Sequence, residues 1–191
     1  MTVMPVADRI SANEFLGLPV SELGRPWNLV EGEVVVNDPT ALHGEVVEIL
    51  LFALGSWTRA TPGRGRVTVP RDLRIDDRNV FAPDVLWYRE GRVPDAYDPP
   101  PYPLPDIAVE VRSPSTWRHD RGAKRTGYER EGLPELWLVD TVVRQVRILR
   151  RSRPDAPRFD LDLVVESDEI LTSPLLPDFD LPLAGLFPDR R

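Results

Sequence analysis

Three residues of the chain have the types and surroundings to do chemistry: Asp84 in VFAPDVLWY, Glu110 in DIAVEVR and Lys124 in HDRGAKRTGY. Alternate residues of a strand share a face, so Asp106, Ala108, Glu110 and Arg112 line one side of DIAVEVR and Ile107, Val109 and Val111 the other. The apolar side is expected to enter the core. A carboxylate in mid-strand among apolar neighbours is costly unless it is paired or bound to a metal. Asp84 is a second carboxylate in an apolar setting, and the two can meet if their strands are neighbours. Oxygen ligands alone suit a hard cation such as Mg²⁺ or Mn²⁺.

Lys124 is the one lysine among 24 basic residues; the other 23 are arginine. Asp120, Lys124 and Tyr128 are four residues apart and fall on one face of a helix. A lysine is a compact charge whose pKa shifts readily on burial, which a guanidinium does not offer. Packed beside the Glu110 strand, it could stabilise a developing oxyanion or help orient and deprotonate a water. Asp84, Glu110 and Lys124 together match phosphodiester hydrolysis, in which carboxylate-held ions clamp the phosphate and activate water while the lysine offsets charge.

Each residue also has an ordinary reading. Glu110 can be the partner of one of the many arginines. The Pro83-Asp84 step can be a turn or strand start, and Lys124 a surface residue paired with Asp120. An arginine-rich composition accounts for the scarcity of lysine, but not for its location.

The elements that must position these residues follow from periodicity and punctuation. SANEFLGL (11–18) reads as a short helix with Ser11 as N-cap and Glu14 at the capping-box position. WNLVEGEVVVND (27–38) reads as a hairpin turning at Glu31-Gly32. Asp38-Pro39-Thr40 opens a helix, ALHGEVVEILLFALGSWTRA, whose apolar residues recur at three- and four-residue steps until Thr61-Pro62-Gly63 ends it. RGRVTVP and DLRI are expected strands. VFAPDVLWY (80–88) is expected as one strand, with Pro83 marking an edge or bulge. After a proline-rich loop and DIAVEVR, a helix is expected from about Asp120 to Glu131, stopping at Gly132. ELWLVD, VRQVRILR and RFDLDLV are three further strands, and the tail SPLLPDFDLPLAGLF reads as loop and turn. The pattern is a mixed α/β layer architecture, with the helix after DIAVEVR able to act as a crossover between parallel strands. One domain is expected over residues 1–191, with helix and hairpin at 11–38, a core at about 40–150, and strands and tail at 151–191.

The chain has no cysteine, which excludes disulfides and thiolate metal sites. It has no histidine pair at ligand spacing, which disfavours a dedicated zinc site. MTVMPVADRI carries no apolar stretch of the secretory kind, and no apolar run approaches the ~20 residues of a membrane span. The cytoplasm is the expected compartment. The net charge of -7 argues against coating nucleic acid by bulk attraction. The charge is uneven, however: Arg112, Arg118, Arg121, Lys124, Arg125 and Arg130 face only Asp120 and Glu129 over that stretch.

APDVLWY, PDIAVEVRSPST and HDRGAKRTGYEREGLPELWLVD resemble the Uma family of restriction-endonuclease-like proteins, within the PD-(D/E)XK nuclease superfamily. The likeness runs from WNLVEGEVV to SPLLPDFDLPLAGLF. It implies a mixed sheet flanked by helices, with Asp84 and Glu110 as the metal-binding carboxylates; members cleave foreign or transposing DNA, process another nucleic acid, or have lost activity, and DNA is the expected partner here. The superfamily places a lysine two residues after the glutamate; Arg112 stands there, and Lys124 takes that part from the next helix. Arg112 cannot act as a base and is expected on a phosphate or a carboxylate. The resemblance also marks Glu31, His43, Ser113 and Tyr128. His43 would touch substrate, or simply pack or cap; Ser113 and Tyr128 would fix the loop and helix beside the site. Asn28 stands where relatives often carry glutamate. A homodimer is expected for an enzyme cutting both strands. The alternatives are a non-catalytic binding module on the same fold and a hydrolase of small phosphoesters.

Overall fold

The computed structural model describes residues 9–18 and 27–188. Most of MTVMPVADRI lies outside the described residues. Helix α1 (Ala12–Leu16) starts at the Ser11 N-cap, with Glu14 completing the capping box. The hairpin β1 (Trp27–Val30) and β2 (Glu33–Val36) turns through two left-handed residues, Glu31 at φ 53° and Gly32 at φ 86°. Helix α2 (Ala41–Ala60) is capped by the Thr40 hydroxyl, which accepts from the His43 N–H, and it buries Val46, Leu50, Leu54 and Trp57.

The short strands β3 (Arg66–Thr68) and β4 (Leu73–Asp76) form as expected. The expected single strand over 80–88 is instead two, β5 (Asn79–Phe81) and β6 (Val85–Tyr88), in different sheets. Pro83, which has no N–H for a ladder, stands where the chain changes sheet. β6 is therefore an inner strand, not an edge.

β7 (Ile107–Val111) follows the proline-rich loop. The helical segment after it begins earlier than expected, at α3 (Trp117–His119), widens into a π-helical turn (Asp120–Lys124) and ends as α4 (Arg125–Arg130). Such π turns are rare and occur frequently at functional sites. β8 (Glu135–Asp140) pairs parallel to β7, so this segment is the right kind of crossover. β9 (Gln145–Arg150) and β10 (Leu161–Val165) continue antiparallel. The tail is more ordered than loop and turn: β11 (Ile170–Leu171) pairs with β12 (Leu181–Pro182), followed by a 3₁₀ turn at Leu183–Gly185.

The larger sheet has the order β10-β9-β8-β7-β6-β3, and the smaller β2-β1-β5-β4. β7 is buried on both faces, where only its apolar side was expected to be. Ile107, Val109 and Val111 meet Val46, Leu50, Leu54 and the tail residues Leu171, Leu176 and Phe179. Trp57 Nε1 donates to Pro177 O at 2.9 Å, tying tail to helix. On the other face Ala108 packs with Leu136, Leu138 and Tyr128 of the crossover side. Among the described residues no helix is long and apolar enough to cross a membrane.

Helix α4 seats against the smaller sheet through Gly127 and Tyr128, with the Tyr128 ring edge-on to Phe81 at 5.3 Å. A Cβ added at Gly127 would stand 2.7 Å from Phe81 Cε2. Gly127→Ala gains about 1 kcal/mol of helix propensity but forces this contact apart at about 1–3 kcal/mol. We expect a net loss of stability in urea unfolding, with the slope unchanged; a stabilised variant would mean the packing there is loose.

Candidate active site

The site forms where three elements meet: the β5–β6 junction, the C-terminal half of β7 and the π turn. Asn28 Oδ1, buried in β1, accepts from the Ala82 N–H at 2.8 Å and sets the path into Pro83-Asp84. Asp84 lies just before β6 and not inside a strand; its Oδ2 accepts from the Val111 N–H at 2.7 Å. That bond joins the junction to β7 one residue beyond Glu110.

Asp84, Glu110 and Lys124 are all buried, at 6%, 2% and 2% exposure. Lys124 Nζ lies 2.9 Å from Glu110 Oε2 and 3.0 Å from Asp120 Oδ1. The Tyr128 hydroxyl donates to Glu110 Oε1 at 2.7 Å. The four-residue spacing of Asp120, Lys124 and Tyr128 therefore puts all three at the Glu110 carboxylate or its counter-charge. The surface reading of Lys124 does not hold; its pairing with Asp120 does, inside the protein.

Asp120 is a participant that spacing placed on the right face but that sequence reasoning did not count among the site residues. Its Oδ2 accepts from the Thr116 hydroxyl at 3.0 Å. With that proton committed, Ser113 donates to Thr116 Oγ1 at 2.8 Å and itself accepts from the Thr116 N–H. Ser113 thus fixes the loop, in a chain running Ser113–Thr116–Asp120–Lys124–Glu110. Arg112 turns to a carboxylate: its Nη1 lies 2.9 and 3.0 Å from the two oxygens of Asp140, and its guanidinium stands over Trp117. His43 Nε2 is 3.2 Å from Asp84 Oδ1 but off hydrogen-bonding geometry, so it has no hydrogen-bond partner. Glu31 is exposed on the first hairpin turn, in a separate cleft with Arg9, Asp76, Asp77, Arg78 and Asn79. It is not brought to Asp84 and Glu110.

Three buried carboxylates share one ammonium. Burial pushes the Glu110 carboxyl well above the usual range; Lys124 opposes this, and Asp120 and Asp84 add to it. Burial also raises Asp120, against the pull of Lys124. Burial alone would lower Lys124, but Asp120 and Glu110 outweigh it and the ammonium is held above its ordinary pKa. Tyr128 is raised by burial and by Glu110, so it remains a donor.

This donor set suits a hard cation. The site sets three buried carboxyl groups against one ammonium, and each Glu110 oxygen keeps a second lone pair when ionised. The Asp84 Oδ1 and His43 Nε2 atoms converge without bonding one another. Among the described residues no three His, Cys, Asp or Glu side chains form a complete ligand set. Mg²⁺ commonly takes one or two carboxylates and fills its shell with water and phosphate oxygens.

Lys124→Met leaves Glu110 and Asp120 buried without a counter-charge. We expect about 3–5 kcal/mol of lost stability near pH 8. Carboxyls raised in the folded state favour folding when protonated and lose that contribution as pH rises. The deficit should therefore shrink on acidification, read by urea unfolding at several pH values. A deficit independent of pH would mean that the ammonium does not compensate these acids.

The family model described as Uma2, "Putative restriction endonuclease", matches residues 12–184. Among solved structures, a "putative nuclease belonging to DUF820" from Anabaena variabilis superposes with a TM-score of 0.75 at 19% identity, covering 93% of this chain and 97% of that one. No curated protein matches. The mixed α/β architecture is thus shared with that structure, and the chain belongs to the Uma2 family.

Proposed function

We propose that the protein is a metal-dependent nuclease that hydrolyses phosphodiester bonds of DNA, with Asp84 and Glu110 as carboxylate ligands of Mg²⁺ or Mn²⁺ and Lys124 as the adjacent cation. The observation that supports this best is the buried Lys124–Glu110 contact of 2.9 Å, with Asp84 bonded to the next residue of the same strand. When bound, the metal ion supplies charge neutralisation at the phosphate and a more acidic water. The protein's part is placement. Tyr128 and Lys124 hold Glu110 from both oxygens, leaving its remaining lone pairs for the ligand side. Lys124, locked by Asp120, presents a fixed positive charge for the oxygens that gain negative charge in the transition state. Arg118 and Arg121, exposed on the segment that carries Lys124, offer phosphate contacts in an otherwise acidic chain. Arg112 is engaged with Asp140 and supports the strand ends instead. Cutting both strands would take two such centres, most simply in a two-fold dimer.

The test is relaxation of supercoiled plasmid in Mg²⁺ or Mn²⁺ with purified protein. Glu110→Gln and Lys124→Ala should each lower the rate by about 10²–10³-fold, and Asp84→Asn should abolish Mn²⁺ binding in calorimetry. Absence of metal-dependent nicking on supercoiled, linear and single-stranded DNA, together with Mn²⁺ binding indifferent to Asp84→Asn, would replace this reading with a binding module.

A further inference from the structure

A cavity of about 250 Å³ opens beside Asp84. Its walls are apolar at Pro39, Val47 and Pro70, and polar at Asn37 and His43. Asn37 is 8% exposed and His43 5%, and Asn37 Oδ1 and His43 Nε2 are buried with no hydrogen-bond partner. A buried amide oxygen with no protein partner is normally met by a bound water, ion or ligand. None of the contacts that assemble Glu110, Lys124 and Tyr128 involves Asn37, so the catalytic machinery leaves it unexplained.

We propose that this cavity receives the base of the nucleotide adjoining the scissile phosphate, and that the substrate must therefore present that nucleotide unpaired. The inference rests on the nuclease reading of the Asp84 site and adds the form of the substrate. Asp84 is both a wall of the cavity and a member of the catalytic group, so whatever fills the cavity is within one nucleotide of the reacting phosphate. The volume lies below the roughly 300–1,000 Å³ of drug-sized pockets, which suits a single ring system and not a stacked base pair. Apolar walls with a few hydrogen-bonding groups are how a displaced base is held. The Asn37 amide presents an acceptor and a donor side by side, matching the edge of a base. A base still stacked and paired in a duplex could not reach it. The preferred substrates are single strands, gaps, flaps and unpaired positions.

Gly44 allows a clean test. It lies in the first turn of α2 and lines the cavity, and a Cβ there meets nothing within 4 Å. Gly44→Leu should improve the helix while filling the opening. The experiment is calorimetric titration, in Mn²⁺ buffer, of the four 5′-deoxynucleoside monophosphates and of 2-deoxyribose 5-phosphate. We expect at least one nucleotide to bind ten-fold or more tightly than the sugar phosphate. In Gly44→Leu that preference should vanish, with a melting temperature equal to or above wild type. A single-stranded oligonucleotide should also be cut at least ten-fold faster than the same sequence as duplex. The proposal is overturned if no nucleotide exceeds the sugar phosphate, if the preference survives in Gly44→Leu, or if duplex is cut as fast as single strand. If nothing is cut, the nuclease reading fails, while the titration still decides whether the cavity takes a base.

Discussion

One buried ammonium organises this molecule. Lys124 stands between Glu110 on β7 and Asp120 on its own helical segment, with neither acid open to water. Desolvating two carboxylates and an ammonium is expensive, and each acid is offset by one further hydrogen bond besides the ion pair. Tyr128, from the same segment, and Thr116, just before it, supply those bonds, which is why its exact winding matters. The π turn at Asp120–Lys124 places the acid and the base of that segment on one side of the crossover. In a chain that otherwise uses arginine, a compact point charge is what fits a slot closed by a tyrosine ring and two carboxylates.

The sheet supplies the rigidity. Its face toward α2 and the tail is apolar apart from the buried Glu135–Arg150 pair, and a chain of ring contacts runs Trp87–Trp57–Phe179–Trp137 across it. The opposite face carries the charged site, but only after Leu86, Tyr88, Leu136 and Leu138 have been covered by the crossover segment and the smaller sheet. Buried charge is thus set in a packed surround on all sides. The other inward acids have their own partners: Asp106 is held by Arg92 and the Arg89 N–H, and Glu135 by Arg150, Trp137 and Ser173.

Local signals made much of this legible. Asp38-Pro39-Thr40 and Thr61-Pro62-Gly63 bracket α2 at both ends, because caps and helix breakers act within a turn of where they stand. Glu31-Gly32 marks the first hairpin for the same reason. Glu110 and Lys124 announce themselves by being costly or unique where they occur. What escapes is set by partners far away in sequence. VFAPDVLWY reads as one strand because its apolar run is continuous; that it serves two sheets depends on Asn28 and Val111 capturing Ala82 and Asp84. The alternation in DIAVEVR identifies its two faces but not that both are covered. Asn37 carries no motif at all, since its position beside Asp84 arises only when α2 docks.

The residues between Phe81 and Val85 belong to neither sheet, yet are gripped by both, through Ala82 on one side and Asp84 on the other. Their number is therefore a dimension of the candidate site. Adding or deleting one would misplace the carboxylate even if both sheets folded unchanged. The stretch from Arg89 to Pro105 is under no such constraint over its exposed middle, where a change of length leaves both sheets and the Asp84 carboxylate in place.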